Sequence, residues 1–77
     1  MNYDLAMMAL EGLARAPITI RSVGNQVTIE GSSASLKELA RLLLLLSGDS
    51  DETVELQPKV HLTNGSAGLQ VRVEGSG

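Results

Sequence analysis

His61 is the only histidine and there is no cysteine, so the side chains best suited to chemistry near neutral pH are one imidazole and nine carboxylates. A histidine acting as a general base needs a second positioned group, and a metal site needs several further ligands. The acids that flank His61 in sequence, Glu55 and Glu74, have no fixed relation to it, and no Ser/His/Asp arrangement can be assembled. The run Gly48-Asp49-Ser50-Asp51-Glu52 collects three acids. A calcium loop would need Gly at its sixth position and Glu at its twelfth, and counting from Asp49 gives Val54 and Val60, so a solvated loop is expected. The glycines make no phosphate cradle. Gly24 belongs to a hairpin turn, Gly65 and Gly68 lie in a second turn, and Gly31 precedes a helix without a lysine-bearing loop. Free N–H groups at Gly-Ser-Ser-Ala-Ser could hold an anion, but serine capping explains that stretch more simply. The residues point to no catalytic site, no cofactor and no metal.

The elements that would carry these residues are organised around a helix over 32–47, Ser-Ser-Ala-Ser-Leu-Lys-Glu-Leu-Ala-Arg-Leu-Leu-Leu-Leu-Leu-Ser. Leu36, Leu39, Ala40, Leu43 and Leu46 recur at three- and four-residue steps and define a core-facing stripe. Ser35 with Glu38 has the form of a capping box, Ser32 and Ser33 are equally able to cap, and Gly48 stands where a left-handed residue often closes a helix. Lys37, Glu38 and Arg41 mark the wet side, yet Leu45 projects there too, and Leu42 and Leu44 flank the stripe. One sheet cannot cover this surplus. Either the N-terminal segment or a second copy of the chain should bury it, which makes Leu42, Leu45, Met7 and Leu10 the candidate interface.

Residues 1–16 read as a helix from Tyr3 to Arg15, ended by Pro17, with a strand as the alternative. Met7, Met8, Leu10 and Leu13 are its expected packing residues. From 18 to 30 the pattern alternates around Gly24-Asn25, which predicts a hairpin pairing Val23 with Gln26, Ser22 with Val27 and Ile20 with Ile29. Ile18, Ile20, Val27 and Ile29 then face the core. After a short extension at 53–57, interrupted by Pro58, a second hairpin is expected over 59–74 with Val60, Leu62, Leu69, Val71 and Val73 inward. Its register is open, with Lys59 opposite either Arg72 or Glu74. The architecture implied is α+β, in the order αββαββ: a four-stranded, mainly antiparallel sheet with the long helix on one face, the shorter N-terminal helix, and a fraying tail at 75–77. Arg21, Glu30, Lys59, His61 and Arg72 would then share an exposed polar sheet face.

Seventy-seven residues suit one small domain for which association is a common source of added stability. Tyr3 is the only aromatic residue and the formal net charge is −3, which removes both base stacking and the counterion release that drives nucleic-acid binding. The leucine run is too short to cross a bilayer. Asp4 and Glu11 interrupt the N-terminal apolar stretch, so no secretory signal is expected, and absence of cysteine fits a cytoplasmic location.

The order Val-Thr-Ile-Glu-Gly-Ser-Ser-Ala-Ser-Leu-Lys-Glu-Leu-Ala-Arg at 27–41, an acidic gap, then Lys-Val-His-Leu-Thr at 59–63 and a closing strand resembles the immunity protein 32 family of bacterial polymorphic-toxin systems. The resemblance covers residues 27–73. It implies a small cytoplasmic protein that binds and neutralises a cognate toxin, and it assigns no functional residue to a position here. The expectation from residues and resemblance together is a noncatalytic protein-binding module, with a protein partner and a homodimer anticipated. The alternative is a homodimeric small-ligand-binding domain or an enzyme with a pocket at its interface.

Overall fold

The computed structural model describes residues 2–48 and 52–75. Asp49, Asp51 and the terminal Ser76-Gly77 lie outside them, and so do the acidic-loop and tail readings that rest on those residues. The elements run α1 (Tyr3–Arg15), β1 (Thr19–Val23), β2 (Gln26–Glu30), α2 (Ser33–Leu46), β3 (Thr53–Leu56) and β4 (Leu69–Arg72). This is an α+β chain in the expected order, but its strands form two separate antiparallel pairs, β1-β2 and β3-β4, and not one four-stranded sheet.

α1 starts where Asn2 accepts a hydrogen bond from the Leu5 N–H at 3.2 Å, and Asp4 and Arg15 oppose the helix dipole at the two ends. Its buried stripe is Ala6, Ala9 and Leu13. Two small residues in that stripe let α2 come close, and the two helices pack chiefly on each other. Gly12 belongs to the same contact, since a Cβ there would stand 2.9 Å from the Glu38 Cγ. Met7 and Met8, expected to pack, are instead exposed because the packed side of α1 is turned to Ala6 and Ala9.

α2 is capped by Ser32, whose Oγ accepts from the Ser35 N–H at 3.0 Å. At its other end Ser47 stays right-handed at φ −64°, and Gly48 does not adopt the left-handed conformation. The buried stripe is Ser35, Leu39, Leu42 and Leu46, rotated by about one position from the expected one. The reason is the partner: the stripe meets α1 rather than a broad sheet face, so Leu42 turns inward while Leu36 and Leu43 turn out. Ser35 ties the helix starts and ends together by donating to the Ala16 carbonyl at 2.7 Å. That hydroxyl proton being committed, Ser32 Oγ–H is the donor in the 2.8 Å Ser32–Ser35 contact.

The second hairpin differs from the expected one. The segment in which the sequence predicts only a short extension is β3, and it pairs with β4 in the register Thr53–Arg72, Val54–Val71, Glu55–Gln70 and Leu56–Leu69. Pro58 lacks an N–H to continue a ladder, and Lys59 takes a left-handed φ of 70°, so the chain folds into a turn in which the Gln57 carbonyl accepts from Val60, His61 and Leu62. Val60 is thereby exposed, while Leu62 is fully buried as a loop residue.

Residues 61–67 then run along the outer edge of β1. The Ile18 N–H donates to the His61 carbonyl (3.3 Å), Thr63 N–H to Ile18 (2.8 Å) and Ala67 N–H to Ile20 (3.1 Å), and the Ile20 N–H reaches the Ser66 Oγ at 3.2 Å. The hydroxyls of Thr19, Thr63 and Ser66 link in a chain of two 2.8 Å contacts beneath the loop. The core that results is Ala6, Ala9, Leu13, Ile18, Ile20, Leu39, Leu42, Leu56 and Leu62. Gly31 is part of its wall, because a Cβ there would meet the fully buried Ile18 Cγ2 at 2.7 Å. Gly31→Ala is therefore expected to destabilise the fold by about 1–3 kcal/mol through overpacking, read as a lower urea midpoint with unchanged slope.

Candidate interaction surface

β1 and β2 have the register read from the sequence, Val23–Gln26, Ser22–Val27, Arg21–Thr28, Ile20–Ile29 and Thr19–Glu30. Gly24 at φ 59°, followed by Asn25 without a positive φ, matches a type II′ turn, which suits the twist of paired strands. In a hairpin closed this way Val23 and Gln26 exchange backbone bonds, and so do Arg21 with Thr28 and Thr19 with Glu30. The residues between them direct N–H and C=O away from the partner strand. On the β1 side those residues are Ser22, Ile20 and, just before the strand, Ile18, and the groups of Ile18 and Ile20 are taken up by residues 61–67. On β2 they are Val27 and Ile29, and β2 is the outer strand of its sheet.

The side chains of Val27 and Ile29 lie on the same face as Ile20, yet they are 63% and 43% exposed where Ile20 is 3%. They were expected in the core. Among the described residues no helix crosses them, since α2 packs on α1, so β2 extends the core face beyond the cover those residues supply. On the opposite face Arg21 Nε lies 3.4 Å from Glu30 Oε1. The strand Gln26-Val27-Thr28-Ile29-Glu30 contains no lysine, proline or bulge, the usual devices that keep an open edge from pairing. The sequence signal was present: the alternation marked an apolar face, but nothing in it marked where that face would lack a cover.

The four residues named as an interface do not behave alike. Leu42 is 1% exposed, Leu45 and Leu10 are half-buried against the core, and Met7 is exposed. Met7, Leu10 and Leu42 do meet in a shallow groove of about 240 Å3 between α1 and β3, with Val54, and with Tyr3 donating to Glu52 Oε2 at 3.3 Å. α1 thus covers much of the surplus that Leu42 and Leu45 represent. The exposed remainder on α2 is Leu36, Leu43 and Leu44.

The polar set is also divided. Arg21 and Glu30 sit on the first hairpin and Arg72 on β4 of the other sheet, while Lys59 and His61 are in the turn after Pro58. They share no sheet face. His61 is half-buried, and its Nδ1 is enclosed without a hydrogen-bond partner among the described residues. Desolvation holds its pKa below the ordinary 6.5, which favours a neutral ring. The unfolded chain then binds the proton more readily, so this contribution to stability is complete above about pH 6.5 and is lost as pH falls through the folded value. Between about pH 7 and pH 5.5 the wild type is expected to lose more urea resistance than His61→Gln. Equal losses would show that His61 does not titrate differently in the fold.

Among the described residues no group of three or more His, Cys, Asp or Glu side chains is arranged to hold a metal ion. The depression between Leu56, Pro58 and Leu69, of about 260 Å3, is bordered by Glu55, Gln57 and Gln70, with Gln70 donating to Glu55 at 3.1 Å. Among the described residues no helix is long and apolar enough to cross a membrane. Comparison with protein-family models, with curated proteins and with solved structures finds no match.

Proposed function

We propose that this chain is a noncatalytic protein–protein interaction module whose binding surface is β2. The observation that carries the reading is the coincidence, on one strand, of outward-directed backbone groups at Val27 and Ile29 with their exposed apolar side chains. Strand addition uses this combination: main-chain hydrogen bonds supply affinity, and alternate side chains supply selectivity. A small-ligand or enzymatic reading would need several polar groups converging in a pocket. The groove between α1 and β3 is shallow, and its polar lining of Tyr3, Glu52, Thr53 and Glu55 stands beside Ala6, Met7, Leu10, Leu42 and Val54 with Tyr3 already bonded to Glu52, which suits that reading less well.

The narrower form of the proposal is a cytoplasmic immunity protein that neutralises a toxin by occluding its surface. Its support is the sequence resemblance over residues 27–73. Affinity capture with the tagged full chain from its native cell tests the general reading. The expected result is a bound protein chain, of the same or another sequence, that Val27→Lys fails to retain. Capture of nothing, or equal capture by the variant, would overturn it. A captured toxin, or a toxin-like reading frame beside the gene, would separate the narrower form from the general one.

A further inference from the structure

Resting on the reading of β2 as the binding surface, we infer that its occupant is a second copy of the same chain, paired antiparallel about a two-fold axis at Thr28. Val27 and Ile29 are the residues whose backbone groups face outward, so an antiparallel neighbour must place outward-facing residues opposite them. A copy centred on Thr28 does so: Val27 meets the partner's Ile29, Ile29 meets the partner's Val27, and Gln26 meets the partner's Glu30. All five residues of β2 find a mate. Each apolar side chain is opposed by an apolar one on the face that continues from Ile20, and no like charges stand opposite. Glu30, the one charged residue of the strand, is compensated by Arg21 in its own chain at 3.4 Å and faces neutral Gln26 across the axis.

Pairing also stops at two. Residues 61–67 cover the far edge of β1 at Ile18 and Ile20 and leave only Ser22 of that edge outside the cover, too short a stretch for a third copy of this hairpin to add to the sheet β1-β2-β2-β1. The other strands lack this combination, since Val54, Leu69 and Val71 on β3 and β4 are already half-buried. Five residues per chain make a small interface, at the weak and reversible end of specific association.

The absence of native cysteine makes the axis directly testable. Thr28 would lie opposite its own copy in a non-hydrogen-bonded pair, with Cα atoms about 4.5 Å apart, within the span of a disulfide. Thr28→Cys is expected to form a covalent dimer under glutathione buffer far faster than Gln26→Cys, which lies on the same face but away from the axis. Sedimentation of the wild type is expected to show a reversible dimer, weakened at least about tenfold by Val27→Lys. Val27 is exposed, so circular dichroism of that variant should match the wild type. A wild type that stays monomeric at high micromolar concentration, or Thr28→Cys crosslinking no faster than Gln26→Cys, would overturn the inference. If the monomer nevertheless captures a different protein through β2, the interaction-module reading stands and only the identity of the occupant falls.

Discussion

Leu42→Ala is expected to lower the free energy of unfolding by about 2–5 kcal/mol, the range for removing a fully buried leucine and leaving a cavity. Leu42 is 1% exposed and belongs to the cluster formed with Ala6, Ala9 and Leu39. A chain of this size has a total stability of about 4–12 kcal/mol, so the substitution removes a large share of it and should lower the urea midpoint substantially. An interface leucine would behave differently: its loss would weaken association and leave the monomer's urea midpoint unchanged. Urea denaturation at two protein concentrations separates the two cases. A concentration-independent fall in midpoint is the expected outcome, and a midpoint that shifts only where the dimer is populated would return Leu42 to the interface.

Leu62→Ala should be comparably severe, by about 2–5 kcal/mol, although Leu62 belongs to no helix or named strand. It is fully buried, it forms isolated backbone bridges with Ile18 and Pro58, and it anchors the loop whose backbone seals β1. Removing it opens a cavity beside Ile18 and loosens residues 61–67 together. Amide exchange should therefore report loss of protection at Ile20 as well as at Thr63 and Ala67, because their hydrogen bonds cross the same seam. A loss confined to residues next to Leu62 in sequence would mean that the loop does not act as part of the sheet.

The parts of this fold that were legible in the sequence are those set by neighbours in the chain. Gly24-Asn25 with alternation on either side fixes the β1-β2 register, and Pro17 ends α1, whose Asn2 cap is seen only in the structure. What was not legible depends on which distant surfaces meet. The leucine run of α2 offers more than one apolar stripe, and only the choice of α1 as partner selects Leu39, Leu42 and Leu46. Val60 and Leu62 alternate as a strand would, but Pro58 and the left-handed Lys59 turn them into a loop and hand the pairing with β4 to residues 53–56. The same limit applies to the candidate surface. Val27 and Ile29 share a face with Ile20 as the alternation predicts, and the absence of a cover over them among the described residues depends on how distant elements pack. The hydroxyl chain of Thr19, Thr63 and Ser66 had no local signature at all.

The surface assigned to β2 is tested most directly by amide hydrogen exchange at Val27 and Ile29 over a protein concentration series. In an isolated chain these two N–H groups face water while their neighbours Gln26, Thr28 and Glu30 bond to β1. If a second copy adds to the edge, protection at Val27 and Ile29 should rise with concentration and vanish on dilution or in Val27→Lys. Fast exchange at both positions, unchanged across the series, would contradict it.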